Sequence, residues 1–464
     1  MTGNSPTPKS YPPKGSTVNI LTIDGGAMMG VIPARILAYL DGSANTQITG
    51  SGLASDIPAF VPGIASLANT TSGNTSTSPS ISQLFSNFDL IVGTSTGGIL
   101  TAGLAVPPIN IPQYIPAVQS GYPLNAIQLL SFYFDGGATI FPLSGSNPTW
   151  QNQDPLSATQ PLFGNDGLCS VIAKIYGNPT WANEFYYDAT IIAGKDIERT
   201  AHYQAINSSC SSYATLNQAL TGIGITTYNG NIVNNSNTAT NPWSASIDTT
   251  TPPGPIVLSN GTSDYTSKNL SVLQACLMTS AFPTLLPPVP YDLQFDPSSK
   301  TDSQSNTNFF LDGGIFAGNP ALAAYLFALE MEYTINSFIS IGCGTNEAAA
   351  ANALTYSLTW DWGSGATATT LGNGWLYYNT PKPATSPLVD VVAGGAGQYI
   401  NQMLRLIMPN SYFRLEPEIP TDEVAPAYSN NSNDWVNWVK QADTTVQTYS
   451  NWSEMIKLIQ DIQR

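Results

Sequence analysis

A chain of 464 residues with 42% hydrophobic side chains can bury a sizeable core, and no apolar run approaches the roughly 18–20 residues that a membrane span needs. Its 14 Lys and Arg against 30 Asp and Glu leave a net charge of −16. That balance argues against nucleic acid as a partner, which needs clustered cations, and against electrostatic capture by an anionic bilayer.

The elements follow in chain order. Residues 1–17 are polar and rich in Pro, Ser and Lys, without the apolar stretch of a secretory signal. They are read as a disordered arm, and the compartment is left open between the cytoplasm and an export route that needs no signal peptide. Val18–Ile23 reads as a buried strand, Asp24–Gly30 as a tight glycine-rich turn, and Val31–Leu40 as a helix with Pro33 in its first turn. Residues 41–80 read as a loop or insertion. Phe88–Val92 is a second buried strand, and Gly93–Gly98 turns it into a helix that runs to about Ala105.

Residues 140–262 read as further insertions, with a strand at Thr190–Ala193 and surface excursions over 222–262. The alternation then resumes with a helix at Leu270–Ser280, a strand at Phe309–Leu311 and a helix at Pro320–Thr334. A strand at Phe338–Ile341 follows, then two late helices near Gln398–Met408 and Trp435–Gln463. Strands alternating with helices predict an α/β fold, a mostly parallel sheet with helices on both faces, in one domain over 18–464 decorated by long polar loops.

Three segments carry chemistry. Gly93-Thr94-Ser95-Thr96-Gly97 fits G-x-S-x-G, a strand-to-helix elbow that lifts a serine hydroxyl to the positive end of a helix. A nucleophilic serine needs a base. The single histidine, His202, precedes the acidic candidate, whereas an α/β-hydrolase triad runs Ser, acid, His. Either His202 has an unusual place in the topology or the base is a carboxylate. Asp312, after the strand Phe309–Leu311 and before Gly313 and Gly314, is the carboxylate candidate; a plain turn-forming Asp is its bland alternative. Asp24–Gly30 opens a helix with exposed backbone N–H groups suited to a phosphate or an oxyanion, with a plain strand–helix turn as the bland alternative, and Ala27 breaks the dinucleotide pattern G-x-G-x-x-G. Cys169, Cys210, Cys276 and Cys343 are scattered and read as buried thiols, so no metal site is expected.

These segments, in this order, resemble the patatin-like lipid acyl hydrolases, plant patatins above all, whose signatures are D-G-G-G-x-R-G, G-x-S-x-G and D-G-[AG]. Further likeness lies in Phe132-Tyr-Phe134, Thr279–Thr284, Asn319-Pro320, Ile341–Thr345 and Tyr412–Leu415. The resemblance implies a three-layer sandwich and a Ser95–Asp312 dyad that works through an acyl-enzyme. It also implies an oxyanion hole from the N–H groups of Gly25, Gly26 and Ala27, with Gly30, Gly93, Gly97, Gly313 and Gly314 shaping the turns. It implies a phospholipid, galactolipid or acylglycerol substrate, peripheral membrane contact, and no cofactor or metal. Acyl transfer, thioester hydrolysis and non-catalytic lipid binding or storage are the alternatives on the same fold. Phe282, Leu285 and Leu286 are candidates for an acyl channel, with ordinary core packing as the other reading. Two departures stand out. Ala27 replaces a glycine and suits its role at negative φ. Met29 replaces an arginine, for which Arg35 is the substitute cation to consider.

Overall fold

A computed structural model describes residues 6–45, 57–67, 84–112, 115, 118–142, 163–177, 213–230, 254–261, 270–283, 285–286, 288–290, 309–345, 366–367, 370–371, 395–420, 423 and 427–461. Its centre is an eight-stranded sheet. β1 (Thr17–Ile23), β2 (Leu90–Thr94), β3 (Gly222–Asn229), β4 (Gly254–Ser259), β5 (Val289–Pro290), β6 (Phe309–Asp312), β7 (Thr334–Ile341) and β8 (Tyr412–Leu415) lie in the order β8-β7-β1-β2-β3-β6-β5, with β4 also paired to β3. The pairs β8–β7, β7–β1, β1–β2 and β2–β3 are parallel, and those of β3 with β4 and β6, and of β5 with β6, are antiparallel.

Period-two alternation sends successive side chains of β1 and β2 to opposite faces, and because both faces are covered the two strands are mostly apolar and buried along nearly their whole length. Leu21, Ile23 and Ile91 join α1 (Val31–Asp41), α2 (Thr96–Ala105), α3 (Ala126–Ile140), α4 (Asp166–Tyr176) and α5 (Val272–Thr279) in one core. Val18, Ile20, Leu90 and Val92 pack on α6 (Ala321–Glu330) and α7 (Gly395–Ile407) in a second. The result is a three-layer α/β sandwich. α8 (Ser432–Thr448) closes the first layer with Trp435 and Trp438 fully buried, and the Trp435 indole N–H donates to Ser429 O at 2.7 Å.

Four expectations change. The strongest concerns 222–262, read as surface excursions. β3 is there, buried along nearly its whole length in the middle of the sheet. Its sequence, Gly222-Ile-Gly-Ile-Thr-Thr-Tyr-Asn229, looks like a loop because its polar side chains bond to other strands rather than to water, and because its glycine makes room. A Cβ on Gly222 would sit 2.4 Å from the Tyr11 ring, and one on Gly261 2.0 Å from it.

That ring belongs to the expected arm. Over its described part the arm is tied down: Lys9 N–H donates to Ala219 O at 3.0 Å, Tyr11 OH to Ile223 O at 2.7 Å, and Tyr333 OH to Pro12 O at 2.6 Å. The remaining two are helical. α4 lies within the expected insertion at 140–262, and the late helix at Trp435–Gln463 is two helices, α8 and α9 (Trp452–Gln460), because Tyr449 turns extended at φ −72°, ψ 101°. The predicted strand Thr190–Ala193, His202, Cys210 and most of 41–80 lie outside the described residues. Cys169, Cys276 and Cys343 are buried. Among the described residues no helix is long and apolar enough to cross a membrane.

Candidate active site

The elbow is built from two close approaches. A Cβ on Gly93 would lie 2.0 Å from Gly97 O, and one on Gly97 2.1 Å from Ile23 O, so only glycine fits either place. Between them Ser95 is held at φ 54°, ψ −121°, which an L residue adopts only when its surroundings over-determine it. Its N–H donates to Thr279 Oγ1 at 2.8 Å, and the residue is 9% exposed.

Asp312 reaches this serine by a route that follows from the pairing. Thr227 on β3 pairs with both Ile256 of β4 and Asp312 of β6, so these two strands lie on opposite edges of β3. β4 also runs alongside the residues that pair with β2, which puts β2 and β6 on the same edge. They run toward each other: Thr94, the last residue of β2, faces Thr226, and Asp312, the last of β6, faces Thr227. Ser95 and Asp312 therefore meet where two strand ends abut. The strand ends in the sequence predict the two on one rim; their meeting depends on β6 being antiparallel to β3. Thr94 and Thr226 hydroxyls bond at 2.7 Å across the junction, and Thr94 donates on to Ala317 O at 2.5 Å.

Asp312 Oδ1 accepts the Gly314 N–H at 2.6 Å. Oδ2 is buried without a close hydrogen bond, yet the Ser95 hydroxyl is near enough to stabilise the charged carboxylate. The pair is thus in loose contact, as catalytic hydrogen bonds often are before substrate binds. Burial dominates and pushes the Asp312 carboxyl up to about 7 against the opposing bonds from Gly314 and Ser95. A carboxylate of such basicity suits proton transfer near neutrality far better than one in water.

The turn Asp24–Gly30 lies against the serine, a Cβ on Gly25 falling 3.1 Å from Ser95 Cβ. One expected oxyanion donor is corrected here: the Gly25 N–H is committed to Gly318 O at 3.0 Å, because the turn is stitched to the segment after Asp312. The N–H groups of Gly26 and Ala27 have no hydrogen-bond partner among the described residues. Ala27 has φ 49°, not the negative φ expected of an alanine, so it stands in a conformation that glycine adopts without steric cost.

Arg35 is no substitute for a cation at the turn. It is fully buried, binds Asp443 at 2.6 and 2.9 Å, and stacks on the Phe60 ring at 3.4 Å. Met29 packs, partly buried, against the core. The positive charge arrives instead from β8: Arg414 grips Asp24 at 3.0 and 2.5 Å and also pairs with Glu416 and Ser340 Oγ. Burial pushes the Asp24 carboxyl up to about 6 even against Arg414. Beneath the turn, Cys343 donates its thiol to Asp24 O at 3.3 Å and fills the space a Cβ on Gly26 would need. Of the acyl-channel candidates, Leu286 lies in the core and Leu285 packs against it. Among the described residues no cluster of three His, Cys, Asp or Glu is arranged to hold a metal.

The model of the patatin-like phospholipase family matches residues 75–325, more than half of the 464-residue chain. The chain belongs to the patatin-like phospholipase family. It is 26% identical over 328 residues to Patatin-like protein 1 of Arabidopsis thaliana, a match covering 70% of this chain and 55% of that protein. It is 30% identical over 171 residues to Patatin-17 of Solanum cardiophyllum, covering 36% and 34% of the two chains. A third relative, from Solanum tuberosum and 26% identical over 172 residues (36% of each chain), is named Probable inactive patatin-3-Kuras 1. The chain spans between about a third and about half the length of these relatives. Patatin-like proteins are in general lipid acyl hydrolases.

The sequence marks the segments holding Thr279 and Arg414 but gives neither residue a role, and no motif marks Thr226. A threonine in an apolar helix end, an arginine in a strand of aromatics, and a Thr-Thr pair inside a short strand are the signals that mark them.

Proposed function

We propose that this chain is a serine lipid acyl hydrolase. In this reading Ser95 Oγ attacks the acyl ester carbonyl while its proton passes to the Asp312 carboxylate. The tetrahedral oxyanion is held by the N–H groups of Gly26 and Ala27. Collapse expels the alcohol, which takes the proton back, and leaves an acyl-enzyme. Water then adds to the acyl carbonyl, its proton going to Asp312, and the fatty acid departs as Ser95 is restored.

The observation that carries the reading is the junction of β2 and β6. It sets a strained serine at a helix N-terminus beside a buried carboxyl whose affinity for a proton is raised to about 7. His202 has no part in it. With a net charge of −16, approach to lipid by apolar contact is favoured over attraction to anionic head groups, which supports neutral or zwitterionic esters as substrates. Exposed Tyr399 and Leu406 on α7, whose only charged side chain is Arg405, support such peripheral contact.

The test is labelling by a fluorophosphonate, together with fatty-acid release from phosphatidylcholine, galactolipid and monoacylglycerol. Labelled, active wild type with unlabelled Ser95→Ala is the expected result. Wild type that neither labels nor hydrolyses any of the three would leave a lipid-binding protein.

A further inference from the structure

We propose that Thr279 is a positioning residue that sets the nucleophile Ser95 against Asp312 through a single hydroxyl. The inference rests on the hydrolase reading above and adds to it the part that holds the two groups in register.

Thr279 is the last residue of α5 and is fully buried. Its Oγ1 accepts the Ser95 N–H at 2.8 Å and donates to Thr226 O at 2.6 Å. The directions are forced, because an amide N–H only donates and a carbonyl only accepts. A side chain in this place must therefore do both within one atom, which a hydroxyl does. The same short segment also holds the other partner: Gly313 N–H donates to Thr279 O at 3.3 Å, and Asp312 N–H to Ala281 O at 3.0 Å. Thr226, where the hydroxyl is anchored, is the residue that faces the end of β2. The strut thus touches the serine, the aspartate's backbone and the junction between their strands.

Its removal has a physical consequence. Ser95 sits at φ 54°, a conformation that persists only under constraint, and without Oγ1 its buried N–H and the Thr226 carbonyl both lose a partner. The backbone at the elbow then relaxes and carries Ser95 Oγ away from Asp312. Thr279 is seated closely enough to register this: a Cβ on Gly98 of the nucleophile's helix would lie 2.8 Å from its methyl.

The experiment compares Thr279→Ser, which keeps the hydroxyl, with Thr279→Ala, which differs from the Ser variant by that hydroxyl alone. Each is followed by the rate of fluorophosphonate labelling, by p-nitrophenyl butyrate hydrolysis from pH 5 to 9, and by a thermal melt. The Ala variant is expected to lose about 10- to 100-fold in kcat and labelling rate with KM within about twofold, while Ser stays within about threefold of wild type. Because the Ser95 hydroxyl stabilises the Asp312 carboxylate, the acidic limb of the Ala profile is expected to move to higher pH. Should Ala fail to fold, the isosteric Thr279→Val carries the same comparison. A hydroxyl-free variant that labels at the wild-type rate, or a Ser variant as slow as Ala, overturns the proposal. Unlabelled wild type sinks the hydrolase reading itself and so is told apart from either result.

Discussion

Thr94 and Asp312 end two strands that run toward each other along one edge of β3, facing the adjacent residues Thr226 and Thr227. Strand ends of this kind leave unpaired backbone, and here the gap is closed by threonine hydroxyls and by the Thr279–Ala281 segment. The residues next in line, Ser95 and Asp312 itself, are brought side by side as a result.

The first prediction concerns that pair. Ser95→Ala and Asp312→Asn are each expected to lower lipid ester hydrolysis by at least about 10³-fold, since removing a nucleophile or its base abolishes the shared step. His202→Ala is expected to keep wild-type activity. Fatty-acid release measured by titration checks all three.

The pH dependence follows from the Asp312 carboxyl being pushed up to about 7 by burial. In the proposed mechanism the basic form accepts the serine proton, so kcat/KM is expected to rise through a limb centred near that value and to level off above it. A limb in the ordinary carboxylate range, below about pH 5, would contradict the burial argument.

The same shift has a cost in stability. A carboxyl with a raised folded pKa favours folding in its neutral form, so its contribution is intact below the unfolded value of 3.8 and is lost as pH rises through about 7. Asp312→Asn carries no such charge. The Asn variant is expected to melt within a degree or so of wild type near pH 4 and several degrees above it at pH 8, a gain of about 4 kcal/mol at most. Calorimetric melts across that range check the sign.

Ala27 tests the turn. At φ 49° it bears a Cβ where glycine has none, so Ala27→Gly relieves strain of about 1 kcal/mol while adding a comparable freedom to the unfolded chain. Its stability is expected to stay within about 1 kcal/mol of wild type, whereas Ala27→Val, branched at Cβ, is expected to lose about 1–3 kcal/mol. Denaturant midpoints separate the two.

Arg414 tests the charge beneath the turn. Arg414→Met leaves Asp24 and Glu416 without their shared cation, and breaking a buried pair from one side costs about 3–5 kcal/mol. Asp24, already pushed up to about 6, is expected to rise further, so its folded form holds its proton and the variant is more stable at pH 5 than at pH 8. Melts at the two pH values check this.

What could be read from residues alone is local. Gly93-Thr-Ser-Thr-Gly97 announces an elbow because both glycines answer close contacts set by the turn itself and the strand beside it. β1, β2, α1 and α2 read correctly because their apolar periods are complete within each segment. β3 was illegible for the opposite reason. Thr226, Thr227 and Gly222 are explained by Thr94, Leu311 and Tyr11, which come from distant parts of the chain.

The turn Asp24–Gly30 divides in the same way. Its glycines are visible in sequence, but that Gly25 spends its N–H on Gly318, and that a cation comes from Arg414 rather than Arg35, follows from which strands lie side by side. The sequence by itself determined the serine, its elbow and the acidic residue after a short strand. Only the tertiary structure decided that the two meet, because a strand's direction and neighbour depend on hydrogen bonds between segments about 80 to 130 residues apart, which no local pattern encodes.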